Sequence, residues 1–250
     1  MAHPTLSARL AVREYPQNLT PVMDQKWRDL LFLHWEYDAK AIQKTLPQGL
    51  FVDTFEGKAY IGMTPFSLEG VKPKLFPPLP GMSNFFELNC RTYVYDEAGV
   101  PGVWFYSLDA NQQLVVQMAR QFMYLPYRYT TIEMSIDPQQ VIHYQCEPLG
   151  TPIEFVYKGE GPLFLAEPGS LEFFLTERYI LFADKGDRLT KGRIHHVPYP
   201  LSRAKVSKWN SQLFDINGFD NPQRPPDHVL FSPGVDVEIF SLQDQAKKSL

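Results

Sequence analysis

The chain has 250 residues and a nearly balanced charge, 24 Lys and Arg against 28 Asp and Glu for a net −4, with no long basic run; this argues against a surface that tracks nucleic-acid phosphates. A composition of 44% hydrophobic and 21% charged residues excludes extended disorder and is that of a globular chain. No window reaches the ~20 apolar residues of a membrane helix.

The first residues, MAHPTLSARLAVREYP, lack the apolar stretch of a signal peptide. Cys90 and Cys146 lie in strand-like runs without a paired-ligand spacing, so buried free thiols and a reducing cytoplasm are expected, while one disulfide stays open. Residues 1–23 carry three prolines and no period, which predicts an irregular arm, loosely docked. Trp27 to Tyr37 reads either as a helical stripe or as a buried strand. Asp38 is a suitable N-cap for a short helix that Pro47 and Gly49 close. Val52–Thr54 and Lys58–Ser67 then read as a hairpin around Phe55-Glu56-Gly57. Residues 71–84 hold four prolines and cannot form a central strand; they predict a stiff loop, either the lid of a site or a surface crossing.

Phe85 to Tyr95 alternates cleanly. Phe86, Leu88, Cys90, Thr92 and Val94 share one face, and Glu87, Asn89 and Arg91 share the other with Phe85, Tyr93 and Tyr95. That polar face looks either to water or into a cavity. After the return strand Val103–Leu108, Asp109 stands three residues before Gln112, the spacing of a capping box. A helix over Asp109–Met123 follows, packed by a stripe of Leu114, Val115, Met118, Ala119 and Phe122. Pro126 ends it near Tyr124. Tyr127 to Ile136 predicts one strand, with Tyr127 and Tyr129 on one face and Arg128 heading the other, apolar face. Arg128 is there either a rim residue or held by a carboxylate.

Weaker strands follow at Val141–Cys146 and Ile153–Tyr157. A second helix, Ser170–Arg178, is capped by Ser170. A hairpin, Tyr179–Ala183 with Leu189–Val197, turns at DKGD, and Val229–Phe240 closes the chain. YPLSRAKV and Gly218–Pro226 read as Pro-rich connections. With no repeat or linker in view, one domain is expected over 24–240, with a frayed tail at 241–250.

ARQFMYLPYRYT and FFELNCRTYV resemble the acetoacetate decarboxylase-like superfamily, and more closely its YqjF-like branch. DTFEGKAYIGMTPF, PGVWFYSLDA, EFFLTERY, GRIHHVPYPL and SPGVDVEIF match that branch in order across most of residues 24–240. The resemblance implies an α+β, mainly β fold with a few helices, in which a large mixed sheet curls into a cone or barrel around a ligand cavity. It also favours the strand reading for Leu31–Glu36.

In the decarboxylases a lysine in the helix-to-strand turn, activated by a second lysine, forms an imine with the ketone; the general rule that a neighbouring cation activates such a lysine has this enzyme as its standard example. Along ARQFMYLPYRYT those positions fall on Tyr127 and Arg128. Tyrosine forms no imine, so the family's decarboxylation route is not expected. The family's glutamate in the strand before the helix matches Glu87. Glu87, Arg128 and Tyr127 are therefore the candidate catalytic residues, with Arg91, Asn89, Tyr129 and His195 as candidate ligand-binding residues.

Such a set suits a protein that binds a small keto or carboxylic acid, an anionic ligand, in a barrel cavity without the imine-forming lysine. The alternatives are an enzyme of lyase or hydrolase type that uses Glu87 as acid or base with Arg128 and Tyr127, and a filled barrel in which Glu87 and Arg128 are a structural pair. His195 and His196 point to opposite faces of a strand and lack ligand spacing, so no metal is expected, and no Gly-rich phosphate loop calls for a cofactor. Lys191 reads as a solvated hairpin lysine or, far less simply, as a displaced imine former. No nucleic acid and no membrane are expected as partners; a homo-oligomer stays open.

Overall fold

A computed structural model describes residues 3–186 and 188–244. In chain order it contains α1 (Leu6–Ala11), β1 (Pro21–Tyr37), α2 (Ala39–Gln43), β2 (Leu50–Val52), β3 (Ala59–Pro73), β4 (Phe85–Asp96) and β5 (Pro101–Ala110). The middle of the chain forms α3 (Gln113–Met123), β6 (Tyr127–Tyr129), β7 (Ile132–Ile136), β8 (Ile142–Cys146) and β9 (Ile153–Phe164). It ends with α4 (Leu171–Thr176), β10 (Ile180–Asp184), β11 (Leu189–His195), β12 (Leu201–Lys208), α5 (Gln212–Ile216), β13 (His228–Phe240) and β14 (Gln243–Asp244).

The strands join in one mixed sheet, and part of it closes on itself. The path β11-β10-β5-β4-β3-β1-β13 returns to its start because Ile194 pairs with Ile239 and His195 with Glu238. A leaf, β12-β9-β8-β7, leaves this ring at β13. The pairs β10·β5 and β5·β6 are parallel and the remaining ladders antiparallel. No helix among the described residues is long and apolar enough to cross a membrane.

Two cores follow from strand alternation. Leu30 and Phe32 of β1 join the cluster inside the ring, while Leu31, Leu33 and Trp35 join a second cluster between ring and leaf. In β4, Tyr93 belongs to the first cluster and Leu88 and Cys90 to the second. Both faces of β4 are therefore covered, and Glu87, Asn89 and Arg91 are buried at 3%, 4% and 8% exposure. A two-layer fold leaves this strand no watered face, which decides between the two readings of its polar side.

Four expectations are corrected. Asp109 does not cap α3: β5 runs on through it, its carboxylate is taken by Arg128, and Gln112 occupies the cap position without a side-chain cap bond. The α3 stripe faces the core along one edge only. Ala119 is buried and Val115 packs against the ring core, as does Val116 outside the stripe, whereas Leu114, Met118 and Phe122 are exposed, because periodicity locates a stripe and not what lies opposite it. Tyr127–Ile136 is two strands, β6 on β5 and β7 on β8, with the chain crossing from ring to leaf at Thr130 and Thr131. β2 pairs with β4 and not with β3, although Phe55 and Lys58 still close the expected tight turn.

The N-terminal arm is also more ordered than expected. Thr5 caps α1 by accepting from the Ala8 N–H, and Arg9 donates twice to Asp53, at 2.7 and 2.8 Å. Leu10 and Val12 add apolar contacts to the core, but they are too few to form a period in the sequence. β12 replaces the connection expected at YPLSRAKV, α5 lies where no element was expected, and Gly218–Pro226 is the expected connection. The frayed-tail expectation falls partly on β14, which pairs with β11, and for residues 245–250 lies outside the described residues.

Candidate functional site

Seven strands enclose a cavity of about 80 Å³, and each contributes to its wall: Gln25, Thr64, Glu87, Val103, Leu181, Ile194 and Ile239 come one from each ring strand. A space of roughly 10–15 Å³ holds one water, so several water-sized groups fit. Most of the wall is apolar, including Leu30, Phe66, Leu68, Phe105 and Leu108. The polar groups converge from β4, where period two aims Glu87, Asn89 and Arg91 the same way.

Glu87 accepts a 2.9 Å hydrogen bond from the Tyr127 hydroxyl. Burial pushes its carboxyl up to about 7, against the opposing effects of Tyr127, Asn89 and Arg91. The Tyr127 phenol is held well above its ordinary range, first by burial and then by Glu87, so it stays a donor. A carboxyl near neutrality beside a fixed donor is suited to proton transfer.

Arg91 lies in the same wall with its Nε and Nη2 unpartnered, as are Asn89 Oδ1 and Thr64 Oγ1. A buried guanidinium without acceptors is costly unless something supplies them. Arg178 also reaches the cavity. Its Nη1 donates to Asp53 at 2.8 Å and its Nε to the Phe174 carbonyl at 2.7 Å, while Nη2 is unpartnered. Burial would raise the Asp53 carboxyl, but Arg178 and Arg9 outweigh it and hold the group below its usual value. One carboxylate thus serves two arginines and leaves one positive charge that it does not neutralise.

The other sequence candidates lie elsewhere. Arg128, next to Tyr127 in an extended strand, points to the opposite face and forms a bidentate pair with Asp109, both contacts at 2.7 Å. The carboxylate reading of Arg128 therefore holds, but its partner is Asp109 and not Glu87. Tyr129 is 56% exposed at the end of β6, away from the cavity. His195 lines an open groove with Asp24, Lys72 and Glu238 and meets the Tyr15 ring edge-on. His196 is buried between the Tyr179 and Tyr199 rings, and burial pushes its pKa down to about 4. Lys191 pairs with Asp96 at 2.6 Å, and no lysine is among the described residues lining the cavity. The described residues contain no group of three or more potential metal ligands, and Cys90 and Cys146 are free and buried.

Sequence reasoning passed over Thr64 and Arg178. Arg178 closes EFFLTERY at helical spacing, yet its target Asp53 is 125 residues away, and no local pattern announces such a pair.

The protein resembles solved structures of known enzymes at low identity. The acetoacetate decarboxylase of Legionella pneumophila matches with a TM-score of 0.62 and 10% identity over 94% of this chain and 92% of that one. The enduracididine biosynthesis enzyme MppR complexed with pyruvate matches with a TM-score of 0.61 and 13% identity over 93% of each chain. An acetoacetate decarboxylase-like enzyme of Sphingomonas wittichii RW1 gives 0.63 and 10% over 92% and 95%. These likenesses show a shared fold. In sequence, the uncharacterized protein YqjF of Bacillus subtilis (strain 168) is 35% identical over 207 residues, 82% of this chain and 85% of that protein. A family model described as an uncharacterized conserved protein, DUF2071, matches residues 24–236, and with these two matches the chain belongs to the DUF2071, or YqjF-like, family, built on the acetoacetate decarboxylase-like fold.

Proposed function

We propose that the protein binds a small keto or carboxylic acid in the ring cavity, with the anionic end on Arg91 and without an imine. The observation that carries this reading is the buried Arg91 guanidinium, whose Nε and Nη2 have no protein acceptor and which lines a cavity of ligand size. A planar carboxylate matches the guanidinium fork. Asn89 and Thr64 add side-chain polar atoms beside it, and Arg178 adds positive charge. That a fold relative binds pyruvate supports the ligand class.

Calorimetry with pyruvate and acetoacetate tests this reading. Binding is expected for the intact protein, and Arg91→Gln should weaken it by about 1.5–3 kcal/mol, the worth of a hydrogen bond to a charged group. Equal binding by both proteins, or by neither, overturns the site. Borohydride added to the pyruvate complex should leave no covalent adduct, since imine formation needs a lysine amine and Tyr127 stands in the position that matches the family's lysine. A stoichiometric lysine adduct would instead mean that the nucleophile has moved.

A second reading, an enzyme, is favoured by Glu87, whose carboxyl stands near 7. There Glu87 would exchange a proton with the carbon next to the ligand carbonyl, the resulting enolate charge resting on Arg91. Hydrogen exchange at that carbon, followed by NMR in heavy water, separates the two. Exchange that Glu87→Gln abolishes supports the enzyme, and an unchanged bound ligand supports the binder.

A further inference from the structure

Beside the cavity lies a second space of about 210 Å³. One wall is α3, through Val115, Met118 and Phe122, and another is the 74–84 loop, through Leu79 and Met82. Gln25, Met123 and Tyr127 line this space and the cavity alike, so the two share a wall that includes the residue whose phenol donates to Glu87. The loop wall is fixed in place. Gln112 Nε2 donates to the Gly81 carbonyl at 2.6 Å, and the Lys74 N–H to the Val22 carbonyl at 2.9 Å.

The walls present apolar groups to solvent, with Met118 at 48%, Leu79 at 50% and Phe122 at 66% exposure. An amphipathic helix normally turns such a stripe into the core; here it borders an open space. Exposed apolar surface of this kind marks a place that something covers.

We infer that this vestibule takes the apolar tail of the ligand whose head lies on Arg91, so that the ligand class is an amphipathic acid: a carboxylate or keto-acid head with a hydrocarbon chain running past Tyr127. The inference rests on the reading of the cavity as an acid site. The wall that the two spaces share at Tyr127 selects a small ligand over a protein partner, because a protein surface seated on Met118 and Phe122 would leave the inner cavity and the unpartnered Arg91 nitrogens unserved.

Straight-chain 2-oxo acids of about three to ten carbons, titrated by calorimetry, test the assignment. Once the chain passes Tyr127, each further methylene should tighten binding roughly fourfold, the worth of burying one such group. Met118→Asp should abolish that gain and leave the shortest acid unaffected; the half-exposed position makes a folded variant the expectation, and thermal melting checks it. A flat series with Arg91-dependent binding of the short acid overturns the tail site and leaves the head site standing. Failure of every acid to bind overturns both. A chain-length gain that survives Met118→Asp puts the tail elsewhere and overturns the inference, as does a dimer in ultracentrifugation that Met118→Asp dissociates, since a second copy would then cover the apolar face.

Discussion

Two arginines, Arg91 and Arg128, sit on opposite sides of the ring wall and show two uses of one side chain. Arg128 is closed off: both ends of its fork meet the buried Asp109 carboxylate, and 23% of its side chain remains exposed. Arg91 is deeper, makes no ion pair among the described residues, has two unpartnered nitrogens and lines the cavity. A paired buried charge belongs to the fold, and an unpaired one beside a cavity is free to serve a ligand.

The sharpest way to break this contrast is to remove each guanidinium in turn and measure stability. Arg128→Ala strands the buried Asp109 carboxylate, and chemical denaturation should show a loss of about 3–5 kcal/mol. Arg91→Leu removes a charge that makes no ion pair among the described residues and only favours the Glu87 carboxylate from a distance, and stability should hold or rise. Equal losses would mean that Arg91 is as structural as Arg128.

Next in size is the pH dependence that Glu87 imposes. Its folded pKa of about 7 lies above the ordinary 4.5, so the folded state binds a proton more tightly than the unfolded one. The sign follows directly: the contribution to stability is complete below about 4.5 and is lost as pH rises through about 7, with a total on the order of 3 kcal/mol. Denaturation across this window should show Glu87→Gln with a flatter profile than the parent and a relative gain at the alkaline end. Parallel profiles would show that Glu87 is not the group that titrates.

Much of this was legible in the sequence. Alternation in Phe85–Tyr95 grouped Glu87, Asn89 and Arg91 on one face, and Pro126 ended α3 where the chain turns at Tyr124. The resemblance supplied the curled sheet and the match at Glu87. What stayed hidden was long-range. The capping-box spacing at Asp109 was a false signal because the residue that claims its carboxylate lies in another strand. Period also could not say whether water, core or cavity faces a stripe, which is why much of the α3 stripe lies exposed and why the fate of the β4 polar face needed the second layer to decide it. Arg9, Asp53 and Arg178 are joined across 44 and 125 residues, a cluster that only the closed ring assembles.

The smallest expected effect refines the cavity side of the contrast. Tyr127 falls where the sequence resemblance to the decarboxylases places their lysine, and its hydroxyl donates to Glu87 at 2.9 Å. That bond favours the carboxylate over the acid, in opposition to burial. Tyr127→Phe removes the donor while keeping the ring that bridges cavity and vestibule. Loss of one net hydrogen bond is worth roughly 1 kcal/mol, so the Glu87 midpoint should rise by somewhat under one pH unit. Carboxylate infrared absorption during titration reads that midpoint directly, and Glu87→Gln identifies the band. A midpoint that does not move would show that the phenol packs against Glu87 without tuning it, and Tyr127 would then be only a filler where the decarboxylases keep their nucleophile.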